Sequence, residues 1–427
     1  MKALLSVAAR SAWNRRGTLA LVVLSIALAT ALLLTLERLR TDIRSSFALA
    51  VSGTDLVVGA RTGPVQLMLY AVFRVGGATN TIKTDSLKAI AAHRAVAWVV
   101  PISLGDSHRG FPVLGTSTDY FQRFAYADKQ RLVLAQGAPF AGTLDGLYQA
   151  VLGAEVARKL GYTLGQRITL AHGSGGLEGA LASEHGDKPF IVVGVLARTG
   201  TPVDRTVHVS LQAIEAIHLD WQGGAPVPGV SIAAGDARKF DLEPKQVTAA
   251  LVGLKGRAAV FNVQRFVNNY EGEPLLAVLP GVALDELWAV VGLGEQALLA
   301  MSALVALVSL ASLVAVVLAG LNERRRELAV LRAVGAGPRH VLVLLAAEGA
   351  LVTGLGAVLG AAVAALAVWG AGPWVQQRFG ISLLAGAPTA AQWGLFAAVL
   401  AAGMLASLVP GLRAYRLSLA DGLSPRT

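Results

Sequence analysis

Four apolar runs, each long enough to cross a lipid bilayer, interrupt a chain whose remaining residues are patterned like ordinary globular sequence. The first is Thr18 to Leu36, nineteen residues without a charge. At ~1.5 Å per residue a helix of that length spans ~28 Å, close to the hydrocarbon thickness of a membrane. The others run from about Ala297 to Leu321, Val341 to Trp369 and Gln392 to Leu412. Ala48-Leu49-Ala50 resembles a signal-peptide cleavage site. However, the first run exceeds the ~7–15 residues of a signal sequence, and the charged Glu37-Arg38-Leu39-Arg40 separates it from that site. It is read as a retained membrane helix.

Basic flanks predict the orientation. Lys2, Arg10, Arg15 and Arg16 precede the first run; Arg324, Arg325, Arg326, Arg332 and Arg339 lie between the second and third; Arg413 and Arg416 follow the fourth. Four spans bring these clusters to one side, which the positive-inside rule makes cytoplasmic. Both termini are then inside, while Glu37 to Gln296 and the short loop Gly370 to Ala391 are outside.

Within the exported region, strand and helix patterns alternate. Asp55 to Gly59, Ala97 to Ile102 and Phe111 to Gly115 read as short buried strands, and Thr84 to His93 as a short helix. Gln166 to Leu170, Phe190 to Leu196 and Thr206 to Ser210 read as strands of a second, more β-rich unit. Gly-rich His172 to Gly186 reads as a hairpin loop between two of them. A polar stretch, about Trp221 to Asp236, returns the chain to the first unit. Leu284, Leu287, Trp288 and Val291 have helical spacing and lead into the second membrane run, so the first two membrane helices are expected to extend outward as a stalk.

The predicted fold is an α-helical membrane protein with four transmembrane helices plus a large α+β extracytoplasmic domain inserted between the first and second. Residues 1–46 form the N-terminal segment, first helix and stalk. Residues 47–283 form the domain, with one subunit from about 47–145 and 230–283 and a β-rich insert at about 146–229. Residues 284–427 carry the second stalk and the remaining helices.

Composition agrees: 54% of residues are hydrophobic and 15% charged, against about 25% charged in a soluble domain. The net charge of +10 comes from arginines clustered beside the apolar runs, where they set topology and meet anionic lipid. No basic-aromatic groove accompanies them, which argues against nucleic acid. The absence of cysteine excludes disulfides, thiolate metal sites and cysteine nucleophiles.

The loop between the second and third runs carries the clearest mechanism. Asn322 is a suitable N-cap and Glu323 suits the first turn of a helix. Arg324, Arg325, Arg326, Glu327 and Arg332 supply charge, including donors for carboxylates on a partner. Leu328, Leu331 and Val334 form one apolar stripe, and Gly335, Gly337 and Pro338 end the helix. A loop that served only to set topology needs the arginines but not the stripe. The segment 322–335 is therefore read as an amphipathic docking helix.

On these residues the chain resembles the MacB/FtsX/lipoprotein-release family of ABC transporter permeases. In that family a charged helix of the form Glu-Arg-Arg-x-Glu joins the second and third membrane helices. Glu323 to Ala336 fits with one extra arginine, and Glu348, Gly349, Gly356 and Gly360 match the start of the family's third helix. Val151 to Leu170 and Gly194 to Arg205 resemble its extracytoplasmic domain. The resemblance implies a non-catalytic permease that transmits motion from a partner P-loop ATPase dimer to its exported domains. ATP and Mg would bind that partner, since this chain carries no Gly-x-x-x-x-Gly-Lys-[Ser/Thr] loop. It further implies a second permease copy, a periplasmic partner or adaptor, and a bacterial inner membrane. An alternative within the same architecture is a regulator that switches on an envelope enzyme.

Glu348 lies inside the third run, where a carboxylate normally faces protein or water. It is read as structurally paired, with Arg339 or another loop arginine. Gly356 and Gly360 make a small-x-x-x-small face for close packing within the chain. His172, Glu178, Glu184, His185 and Asp187 lie in or near one exported loop and offer zinc ligands. Their spacing fits no compact motif, and a solvated hairpin tip accounts for them equally. Val57 to Ile82, with Met68, Tyr70 and Phe73, reads equally as a mobile apolar contact surface or as a buried element. No catalytic constellation stands out.

Overall fold

The computed structural model describes residues 16–50, 52–127, 129–173, 185–222, 225–227, 229–323, 335–379 and 386–416. The chain divides into two compact units, the membrane helices and an α+β domain that occupies Arg44–Val290.

The domain follows helix α1 (Arg16–Leu49). Its elements in chain order are β1 (Leu56–Ala60), α2 (Pro64–Ala71), α3 (Thr84–Ala91), β2 (Val96–Ser103), β3 (Asp106–His108), β4 (Phe111–Thr116), β5 (Leu134–Gly137), β6 (Gln149–Leu152), α4 (Ala154–Leu160), β7 (Arg167–Ile168), β8 (Ala171–His172), β9 (Phe190–Leu196), β10 (Val207–Ser210), α5 (Leu211–His218), β11 (Ala249–Leu254), α6 (Val260–Asn268) and β12 (Leu275–Val278). One sheet runs β7-β9-β6-β10-β4-β2-β11-β1-β12, with β5 on β9, and β3 pairing with both β4 and β8. Strands of the expected β-rich insert belong to the same sheet as those of the first subunit: β10 lies parallel to β4, with Val207 opposite Val113. Continuous pairing across the junction leaves no sheet edge that would have to be capped.

Three apolar clusters pack against this sheet. One, in the β-rich part, gathers Phe111, Leu152, Val156, Phe190 and Val207. A second gathers Leu56, Ile90, Val252 and Val263 under α3 and α6. The third holds Leu67, Met68, Tyr70, Val100, Phe121, Ala283 and Leu284. Met68 and Tyr70 are thus core residues, so the first part of Val57 to Ile82 is a buried element, whereas Val75, Gly76, Gly77 and Asn80 are exposed. Local signals explain the helices nearby. Pro64 starts α2 after extended Gly63, Gly161 ends α4 in the left-handed conformation, and Ser210 caps α5 by accepting from the Ala213 amide at 3.1 Å.

Helices α7 (Pro280–Glu323), α8 (Pro338–Phe379) and α9 (Ala390–Arg416) complete the chain. With α1 they are, among the described residues, the four helices long and apolar enough to span a membrane. Their membrane-crossing windows differ in enclosure: 44% of the α1 window is buried against 22% for α7. Helix α1 is the hub. Leu19, Val22 and Ile26 pack with Leu313 and Val317 of α7 and Val352 of α8, and Ser309 Oγ donates to the Ser25 carbonyl at 3.3 Å. Where α9 begins, Gln392 Nε2 donates to the Leu34 carbonyl at 3.1 Å. Thr389 and Gln392 cap that end reciprocally: the Thr389 amide donates to Gln392 Oε1 and the Gln392 amide to Thr389 Oγ1, at 3.0 and 3.2 Å.

Candidate functional site

The residues expected to dock a partner do not all lie within the described structure. Arg324, Arg325, Arg326, Glu327, Leu328, Leu331, Arg332 and Val334 fall outside it. The flanks are described, and one differs from the sequence reading. Asn322 was expected to open a new helix; instead α7 runs through Asn322 and Glu323. A capping residue needs non-helical torsions, and no proline interrupts α7 before Asn322, so the helix continues through it. On the far side Gly335 has φ of 103°, a conformation that costs side-chain-bearing residues and suits a helix terminus. Pro338 then opens α8, where its missing N–H costs nothing.

Beyond the charged end of the first apolar run, α1 and α7 are tied together by side chains. Arg40 donates from Nε to Glu295 Oε2 at 2.9 Å and lies 3.4 Å from Glu37. Nearer the domain, the Trp288 ring meets Phe47 edge-on at 5.5 Å, and the Arg44 guanidinium lies 5.3 Å from the Trp288 centroid.

On α8, Gly356 and Gly360 face α1. A Cβ on Gly356 would lie 2.8 Å from Ile26 Cβ, and one on Gly360 would lie 2.5 Å from the Ala27 carbonyl oxygen. Gly349 meets Ser407 of α9 in the same way. Glu348 is half-buried on α8. Between α1, α8 and α9 opens a groove of about 310 Å³, lined by Leu34, Val358, Ala361, Trp393 and Phe396 with Arg38 at its edge.

The domain holds a cavity of about 520 Å³ lined by Phe47, Tyr70, Phe73, Arg74, Pro112 and Arg205 among others. Arg74 has φ of 59°, and its Nε and Nη1 are buried without hydrogen-bond partners.

Of the exported loop residues, Glu178 and Glu184 lie outside the described structure, and Asp187 pairs with Lys188 at 3.0 Å. His172 and His185 do come together, joined by Asp106 and His218, which the sequence reading missed. These two stand 66 residues before His172 and 33 after His185, so no local spacing announces them. The signal that was present is polarity where burial is expected. Asp106-Ser107-His108 forms a strand buried throughout. It is turned into β4 by Arg109-Gly110, both at positive φ, as a two-residue hairpin loop requires.

The family comparisons agree with this architecture. Residues 17–242 match the MacB-like periplasmic core domain and residues 299–419 the FtsX-like permease C-terminal family. Four spans around an inserted extracytoplasmic-type domain define a membrane permease of the ABC transporter class. The chain belongs to the MacB/FtsX-type permease family. Among solved structures, the periplasmic region of MacB from Actinobacillus actinomycetemcomitans is similar at 11% identity and a TM-score of 0.34, covering 56% of this chain and 95% of that one. The extracellular domain of the noncanonic ABC-type transporter YknZ from Gram-positive bacteria is similar at 13% identity and a TM-score of 0.31, covering 52% and 98%. No curated protein matches significantly.

Proposed function

We propose that this chain is the permease subunit through which a separate ATPase dimer drives export or extraction of a substrate from the periplasm or the membrane. The chain sits in a bacterial inner membrane with both termini cytoplasmic, paired with a second copy. The cytoplasmic segment 322–335 engages the ATPase, which binds ATP and Mg; this chain performs no catalysis. The observation that carries the reading is α7, one helix of 44 residues from Pro280 to Glu323, ~66 Å long at ~1.5 Å per residue. Its only proline is the first residue, so no internal kink absorbs displacement. Its first turns are built into the domain core through Ala283 and Leu284, and its last two residues, Asn322 and Glu323, open the docking segment.

Transport rather than regulation is favoured by the cavity beside Arg74. A regulator that only docks an enzyme needs no internal space, whereas apolar walls with a guanidinium whose Nε and Nη1 are unmet suit an amphipathic, anionic cargo. The test is affinity purification from native membranes with mass spectrometry and an ATPase assay, for wild type and Leu331→Asp. Co-purification of a P-loop ATPase that the inserted variant loses is the expected result. Absence of any ATPase under mild extraction refutes the coupling mechanism. Capture of an envelope hydrolase in place of cargo-handling partners would favour the regulator.

A further inference from the structure

Four side chains from separate segments of the domain converge. Asp106 lies on β3, His172 on β8, His185 just before β9 and His218 in the last turn of α5, with ligand atoms all within 4.8 Å of one another. Backbone pairing sets the arrangement: β8 is antiparallel to β3 with His172 opposite Asp106. The capped helix α5 brings His218 alongside.

The distances are informative. His172 Nδ1 lies 3.2 Å from Asp106 Oδ1, His218 Nε2 lies 3.4 Å from the same oxygen, and the two nitrogens are 3.3 Å apart. Around a tetrahedral zinc with bonds of ~2.0–2.1 Å to nitrogen and oxygen, neighbouring ligand atoms stand ~3.3 Å apart. The three atoms therefore form one face of such a tetrahedron.

Proton placement points the same way. His218 Nδ1 is 2.8 Å from the Ile214 carbonyl, which only accepts, so Nδ1 carries the proton. A neutral His218 then presents a bare Nε2 to the Asp106 carboxylate at 3.4 Å and to His172 Nδ1 at 3.3 Å, an arrangement that a cation among the three atoms would satisfy. Metal-bound histidines show the same orientation, held by a backbone carbonyl on the second nitrogen. A proton on His218 would answer the carboxylate. It would leave His185 unanswered. His185 is 1% exposed and neither ring nitrogen has a partner. The Trp221 ring covers it with centroids 4.2 Å apart. Leaving a buried polar group unmet costs ~1–3 kcal/mol, and one divalent ion would satisfy all four groups together.

We propose that Asp106, His172, His185 and His218 form a zinc-type divalent metal site in the extracytoplasmic domain. Four protein ligands close the shell, so the site is structural and clasps β3, β8, α5 and the segment entering β9. His172 and His218 remain 38% and 25% exposed at their side chains, which gives the ion a route in.

The test uses the full chain in detergent, stripped with a chelator and titrated with Zn²⁺ against a chromophoric competitor. One zinc per chain is expected, and His185→Ala should weaken it by at least ~100-fold, beyond the loss typical of supporting residues. His93→Ala, remote from the cluster, should bind like wild type. Substoichiometric zinc in folded wild type, or unchanged affinity in both His185→Ala and His218→Ala, overturns the proposal. Should the variants misfold, Co²⁺ in the wild type decides. Intense tetrahedral visible absorption supports the site, and the weak spectrum of octahedral cobalt overturns it.

Discussion

Replacing Gly360 by alanine places a methyl group where α8 crosses α1. The new carbon would stand 2.5 Å from the Ala27 carbonyl oxygen and 2.6 Å from Thr30 Cβ, roughly 1 Å inside optimal carbon contact distances of ~3.5–4.0 Å. Neither neighbour can swing aside: the oxygen belongs to helix backbone, and Thr30 is β-branched and 1% exposed. The helices must part at the crossing, loosening Ala31, Leu34 and Ala364 nearby. Overpacking of this kind costs ~1–3 kcal/mol. Gly354→Ala on the same helix is the control, since nothing lies within 4 Å of the added carbon there. Because the chain has no cysteine, Ala364→Cys supplies a single buried reporter whose thiol labelling follows helix separation in detergent. Gly360→Ala should lower the labelling midpoint well below that of Gly354→Ala. Coincident midpoints would mean that the crossing is not close-packed and that the glycine reading is wrong.

Three further outcomes follow from particular contacts. Lys188 is fully buried and held by both oxygens of Asp220 at 2.8 and 2.9 Å. Asp220→Asn should cost ~3 kcal/mol in the domain's thermal unfolding, the lower end of the usual loss because Asp187 remains nearby, and Lys188→Met with Asp220→Leu should recover most of it. His208 is held neutral by burial, assisted by Arg74, with its pKa down at about 3. Its folded pKa is depressed, so its contribution is full above the unfolded value near 6.5 and falls by ~1.4 kcal/mol per pH unit below it; His208→Phe should flatten the melting profile between pH 6.5 and 4. Thr389→Ala should cost ~0.5–2 kcal/mol by uncapping α9, visible as faster proteolysis near residue 389 in detergent.

Elements with strong periodicity were legible in advance. The apolar run Phe190 to Leu196 is β9 to the residue, and all four long apolar runs are helices. Membrane helices read clearly because hydrocarbon demands an unbroken apolar surface. What stayed hidden depends on pairing between distant strands. Nothing in Val207 to Ser210 says that its neighbours are both β4 and β6, so the insert looked separable. Asn322 misled because its side chain suits a cap, while the decision rested with the uninterrupted helix before it. The cluster around His185 was half visible: two histidines in one loop drew notice, but their partners come from a strand and a helix that only the completed sheet brings near.

The connections between the domain and its two flanking helices leave from neighbouring strands. Strand β1 follows α1, β12 precedes α7, and the two are antiparallel partners with Val57 opposite Val278. The end of β1 nearest α1 and the end of β12 nearest α7 therefore lie at the same end of one short ladder. Load applied to the two helices in the same direction translates both strands together and leaves that ladder unstressed. Pulling the helices apart opens it one rung at a time, the weakest way to load paired strands. The ladder is thus weakest against splaying of α1 and α7, and the Arg40–Glu295 bridge at 2.9 Å ties the two helices against that separation.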